Sequence, residues 1–137
     1  MIDILLITHN RLEYLKKALP SVLNQTYKDF NLIIWDNNSD KETVNWLYQT
    51  QPNVFFSNTN ASLAQATTEV FLSSGAEFVG KVDSDVILPS NWIERLVSAH
   101  EKYHFGFLGG FHFRPEDLNG IEPNIEDYNG VKVWRKH

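Results

Sequence analysis

Residues 80–89 read Gly-Lys-Val-Asp-Ser-Asp-Val-Ile-Leu-Pro, an apolar run that ends in two carboxylates one residue apart. In an extended chain the side chains alternate with a period of two, so Asp83 and Asp85 face the same way and Ser84 the other. Two close carboxylates repel and are costly to bury unless a cation sits between them. That makes the pair the chain's candidate for a divalent-metal and phosphate site. Alone it is a weak pattern, since acidic residues often do no more than cap a strand end.

Support comes from three further polar clusters that also follow apolar runs. They are Thr8-His9-Asn10-Arg11, Asp36-Asn37-Asn38-Ser39 and Asn58-Thr59-Asn60. The elements that must position them follow from the periodicity. Residues 2–8 form a β-branched apolar strand. A helix over 11–24 carries Leu12, Leu15, Leu19, Val22 and Leu23 on one face, with Pro20 expected to kink or split it. Strand 30–35 is followed by a helix that opens on a Ser39–Glu42 capping box, buries Val44, Leu47 and Tyr48, and ends at Pro52. Strand 54–57 leads to a helix over 61–74 that buries Leu63, Ala66, Val70 and Phe71, with Gly75 as its stop. Strand 78–82 runs into the acidic pair. Pro89 and Ser90 then start a helix with Trp92, Ile93, Leu96 and Val97 inward. Trp35 and Trp92 read as core. A fifth strand is expected over 105–113, loosened by Gly109-Gly110. The remainder is polar and turn-rich, with one late strand over 131–134 and no evident partner for it.

Strand and helix alternating in this way give an α/β fold, a mostly parallel sheet with helices on both faces. In such sheets ligands bind beyond the carboxyl ends of the strands, near the point where strand order reverses. All four polar clusters fall at those ends.

Bulk properties narrow the partners. A chain of 137 residues with 42% hydrophobic and 13% aromatic residues reads as one globular domain spanning 1–137. A net charge of −5 argues against nucleic acid, which wants a basic face. A small anionic ligand fits if a metal supplies the positive charge. The absence of cysteine excludes disulfides and thiolate metal sites, and is compatible with a cytoplasmic location. No apolar run approaches the roughly 18 to 20 residues of a membrane span, and residues 2–7 are too short and wrongly flanked for a signal segment.

Taken in order, Ile7-Thr8-His9-Asn10-Arg11, Ile33-Ile34-Trp35-Asp36-Asn37-Asn38-Ser39 and Val82-Asp83-Ser84-Asp85, followed by Pro89 and Trp92, resemble the donor-binding half of family 2 glycosyltransferases with the GT-A fold. Ser21 to Gln25 is similar to the end of that family's first helix. The resemblance covers roughly residues 2–103. It implies a Rossmann-like nucleotide-binding domain whose donor is a nucleotide-diphospho-sugar and whose acceptor is a carbohydrate or other hydroxyl. Thr8, Asn10 and Arg11 would line the nucleotide pocket, Asp36 would take the base or ribose, and Asn37 and Ser39 would assist. Asp83 would face the ribose or the metal, and Asp85 would ligate Mg²⁺ or Mn²⁺ bridging two phosphates. A hard cation held by oxygen ligands stabilises the charge that develops on a leaving diphosphate. Lys81 is a candidate helper by position.

The resemblance implies an inverting transfer, which needs a carboxylate base further along the chain. Asp127 is the candidate for it, although it follows the acidic pair too closely and precedes a turn at Tyr128-Asn129-Gly130. The expectation is therefore a donor-binding portion that lacks the C-terminal acceptor portion. His9 reads as a loop residue, and His112 as a surface histidine before a metal ligand. Two rival readings stand beside this one. A nucleotidyltransferase would show a glycine-rich basic loop after the first strand, which Thr8-His9-Asn10-Arg11 is not. A non-catalytic module would keep only the donor pocket.

Overall fold

All seven residues of the first strand, β1 (Ile2–Thr8), are buried, as a central strand covered on both faces must be. The computed structural model describes residues 1–109, 124–128 and 131–135, the last two ranges by backbone alone. Along the chain follow α1 (Leu12–Leu23), β2 (Phe30–Asp36), α2 (Lys41–Thr50), β3 (Val54–Phe56), α3 (Leu63–Ser73), β4 (Phe78–Asp83) and α4 (Trp92–Tyr103). The four strands form one parallel sheet in the order β3-β2-β1-β4. The expected α/β architecture is therefore present.

Register brings the polar strand ends level. Thr8 pairs with Asp36 across β1 and β2, and Ile7 pairs with Asp83 across β1 and β4. Successive strands run outward from β1 to β3, and β4 then returns to the other side of β1. The order thus reverses between β1 and β4, at the C-terminal ends that carry Thr8–Arg11 and Asp83–Asp85.

Period-two alternation divides β1 between two core layers. Ile2, Ile4 and Leu6 join Leu15 and Leu19 of α1, Leu47 of α2 and Ile93 of α4. Leu5 and Ile7 face the other way and, with Trp35 of β2, pack on Ala66 of α3. Helices therefore cover both faces. At Gly80, level with Ile4, an added Cβ would lie 2.9 Å from Ile4 Cδ1, so the isoleucine occupies the space a side chain there would need.

Several local expectations are corrected. Asp40, not Ser39, caps α2, its side chain accepting from the Thr43 N–H at 2.8 Å. Ser39 instead accepts from the Asn10 N–H, a partner 29 positions earlier in the chain. Tyr48 points outward, 78% exposed, because the inner face of α2 is Thr43 and Leu47. Leu63 is 56% exposed at the start of α3. Pro20 neither splits nor ends α1, which continues to Leu23. Residues 105–109 are not strand, and the rest of the expected fifth strand lies outside the described residues, as does His112.

The chain divides into two compact units, Met1–Phe105 and Gly106–His137. In the second, β5 (Asn124–Tyr128) and β6 (Val131–Arg135) pair antiparallel, with Tyr128 opposite Val131. The late strand does have a partner within the chain, contrary to expectation.

Candidate functional site

The sharp entry into α1 shapes the site. Asn10 and Arg11 both adopt left-handed backbone conformations, φ 55° and 57°. Asparagine tolerates this region, whereas for arginine it is strained by roughly 1–2 kcal/mol. Bonds from the neighbouring loop hold the turn. The Asn10 N–H donates to Ser39 Oγ at 2.8 Å, and the Asp40 N–H donates to Asn10 Oδ1 at 2.7 Å. The Asn37 N–H donates to the Thr8 carbonyl at 2.8 Å. His9 adds a link: its Nδ1 must donate to the Asn37 carbonyl at 2.9 Å, leaving Nε2 to accept from Asn10 Nδ2 at 3.4 Å.

This turn carries Arg11 across the switch point. Arg11 Nη1 lies 3.1 Å from Asp85 Oδ2, and its guanidinium lies 4.9 Å from the centre of the Tyr14 ring. Asp83 is paired too, with Lys81 Nζ at 3.1 Å. Lys81 and Asp83 are two residues apart on β4 and so share a face. The strand ends at Asp83, and a turn carries Ser84 and Asp85, with the Val86 N–H reaching back to the Asp83 carbonyl at 3.4 Å. Both carboxylates thus reach one place by a turn and not by extended alternation.

They line a cleft of about 280 Å³ together with Ile7, Thr8, His9, Arg11, Asn37, Leu63 and Ser84. That volume is close to the lower end for ligand sites, about 300 Å³. His9, Leu63 and Ser84 were not singled out as site residues from the sequence. The exposure of Leu63 now has a reason, because it forms an apolar wall of the cleft.

Asp36 and Asn37 differ sharply in their use. The Asn37 amide is saturated, accepting from Trp35 Nε1 and the Ala61 N–H and donating to Asn60 Oδ1 and the Ala61 carbonyl. It fastens the end of β2 to the loop before α3. Asp36 is 1% exposed, with Oδ2 accepting from the Ser39 N–H at 3.2 Å and Oδ1 buried without a partner among the described residues. An unpaired buried carboxylate oxygen costs free energy until a donor reaches it.

The donor set suits a hard cation. Asp83 and Asp85 offer carboxylate oxygens at an open cleft, their side chains 62% and 41% exposed. Mg²⁺ in particular is commonly held by one or two carboxylates, with phosphates and water completing its shell. Among the described residues no group of three or more His, Asp or Glu side chains could hold a metal without such outside ligands. Asp127 lies in the second unit, on β5 opposite Lys132.

The sequence pattern of glycosyl transferase family 2 matches residues 3–136. The chain belongs to the family 2 glycosyltransferases. Among solved structures, S. aureus TarS 1–349 in complex with UDP is similar, with a TM-score of 0.66 and 19% identity over 75% of this chain and 32% of that one. The same protein in complex with UDP-GlcNAc gives a TM-score of 0.61 and 20% identity over the same shares. The mannosyltransferase PcManGT from Pyrobaculum calidifontis, in complex with GDP-Man and Mn²⁺, gives 0.64 and 18% over 88% of this chain and 37% of its own. These likenesses establish the GT-A fold. The chain spans about a third of the length of these structures. No helix among the described residues is long and apolar enough to cross a membrane.

Proposed function

We propose that this family 2 domain binds a nucleotide-diphospho-sugar together with Mg²⁺ or Mn²⁺ and supports transfer of the sugar, with inversion, to an acceptor hydroxyl. The observation that carries this reading is the meeting of Arg11, Asp83 and Asp85 in one cleft at the strand-order reversal. The relatives bound to UDP, UDP-GlcNAc and GDP-Man with Mn²⁺ support it.

In this reading Asp36 Oδ1 accepts a hydrogen bond from the nucleoside, which supplies the donor that the buried oxygen lacks. Thr8 lines the cleft that holds Arg11, Asp83 and Asp85. Asn10, Asn37 and Ser39 serve it chiefly by locking the two loops together, since most of their polar atoms already bond within the protein. Asp85 and Asp83 hold the cation, which when bound neutralises charge growing on the leaving diphosphate. Arg11, released from Asp85, would pair with a phosphate.

Inversion follows if the acceptor oxygen attacks the anomeric carbon opposite the diphosphate. The new carbon–oxygen bond forms as the bond to the phosphate oxygen breaks, and the acceptor's proton passes to a base. That base is unassigned; Asp127, the sequence's candidate, lies in the second unit. A cysteine-free chain suits the reducing cytoplasm. The test is a thermal-shift panel of UDP, GDP, CDP and TDP, each with and without Mn²⁺. One nucleotide should raise the midpoint, and more so with the metal. Sugar transfer by this chain would exclude a donor-binding module, and no shift with any nucleotide contradicts the proposal.

A further inference from the structure

The acidic turn is followed by irregular backbone up to α4, and the structure shows what holds that segment. Gln25, at the far end of α1, is fully buried. Its Nε2 donates to the Ser21 carbonyl and to the Pro89 carbonyl, both at 2.9 Å. Its Oε1 accepts from the Ile93 N–H at 3.1 Å. That N–H is one of the unsatisfied donors in the first turn of α4, and the N-cap residue Asn91 gives no side-chain cap. A glutamine 68 positions away therefore does the capping.

Neighbours reinforce it. Ser21 Oγ accepts from the Leu88 N–H at 3.0 Å, the Thr26 N–H donates to the Ser90 carbonyl at 2.8 Å, and Thr26 Oγ1 donates to Glu94 at 2.8 Å. The segment that follows Asp85 is thus clamped at Leu88, Pro89, Ser90, Ile93 and Glu94 by residues 21–26. On the other side of the acidic pair, β4 is fixed to β1 as far as Asp83. Between these two anchors only residues 84–87 remain.

We propose that Gln25 is a positioning residue for the Asp83–Asp85 turn, setting the place of Asp85 relative to Asp83 and so the affinity for the cation. This rests on the reading of that pair as the metal anchor. Supporting groups behind metal ligands commonly change metal affinity by about 10–100-fold when removed. Gln25→Met keeps the bulk and removes all three bonds, and Ser21→Ala removes the bond to Leu88 together with the local bond to the Ala18 carbonyl. Leu47→Val truncates the core elsewhere and controls for a general loss of stability.

The experiment measures the Mn²⁺ concentration that half-saturates binding of the nucleoside diphosphate selected by the panel. For Gln25→Met it should rise about tenfold or more, with a smaller rise for Ser21→Ala, none for Leu47→Val, and an unchanged affinity for the nucleotide without metal. If Gln25→Met fails to fold, Ser21→Ala decides. Variants that shift the midpoint no further than Leu47→Val overturn the proposal. If the parent binds nucleotide with no metal dependence, the metal reading fails, and amide exchange across residues 83–93 decides the role of Gln25. Faster exchange in Gln25→Met than in Leu47→Val upholds it as the clamp, and equal exchange overturns it.

Discussion

Arg11 and Asp85, 74 positions apart in the chain, meet at 3.1 Å across the point where strand order reverses. Both side chains are substantially exposed, 60% and 41%, so the pair adds only about 0–1 kcal/mol to stability. Its interest is that it brings together the carboxylate proposed to hold the cation and the guanidinium proposed to meet a phosphate, and is weak enough to exchange partners.

Arg11→Ala should therefore leave the unfolding midpoint almost unchanged while weakening nucleoside diphosphate binding about tenfold or more. A charge-assisted hydrogen bond to phosphate contributes about 1.5–3 kcal/mol, whereas the exposed ion pair contributes less. Calorimetric titration beside thermal denaturation separates the two quantities. A large loss of stability with unchanged affinity contradicts the assignment.

Asp36→Asn should move stability and binding in opposite directions. The substitution keeps an acceptor for the Ser39 N–H and removes a buried charge whose second oxygen has no partner. Stability should hold or rise, by up to about 1–3 kcal/mol, while nucleoside affinity falls about tenfold. Chemical denaturation and titration with the free nucleoside measure the two.

Much of this arrangement was legible in the sequence, and the gaps have physical causes. Apolar runs such as 2–8 and 30–35 carry the local signal of buried strands, and their polar ends marked the edge where Thr8, Asp36 and Asp83 now lie level. The α2 cap was misplaced by one residue because Ser39 and Asp40 are equally good caps locally. What separates them is the Asn10 N–H, which engages Ser39 from another loop. Gln25 and the saturated Asn37 amide were opaque for the same reason, since their partners lie far along the chain. Leu63 read as core from its spacing, yet a cleft wall and a core wall look alike in a helical pattern.

Asp40 gives a pH prediction. The Thr43 backbone N–H, donating to it at the start of α2, holds its carboxyl below the ordinary value of 3.8. A depressed folded-state value means that Asp40 contributes stability above about pH 3.8, lost as pH falls through the depressed value. Asp40→Ala should thus lower the melting temperature at neutral pH, with the gap to the parent narrowing in acid. Denaturation curves at several pH values follow this, and a gap that widens in acid contradicts it.

The close approach of Gly80 and Ile4 predicts coupling between them. Gly80→Ala crowds Ile4 Cδ1 and should cost about 1–3 kcal/mol, and Ile4→Val alone about 0.5–1.5 kcal/mol. Ile4→Val removes the crowding atom, so the double variant should lose less than the two singles together. A strictly additive double-mutant cycle rules out the contact as the cause.

The claim on which the proposed function depends is that Asp85, beside Asp83, would hold a cation that supports diphosphate binding. Its most direct test is the affinity of the nucleoside diphosphate with and without Mn²⁺, in the parent and in Asp85→Ala. The account predicts that Mn²⁺ tightens binding to the parent about tenfold or more, and that Asp85→Ala, folded and of similar melting temperature, loses that gain while keeping the weaker metal-free binding. A variant that still binds as tightly as the parent in the presence of Mn²⁺ contradicts it.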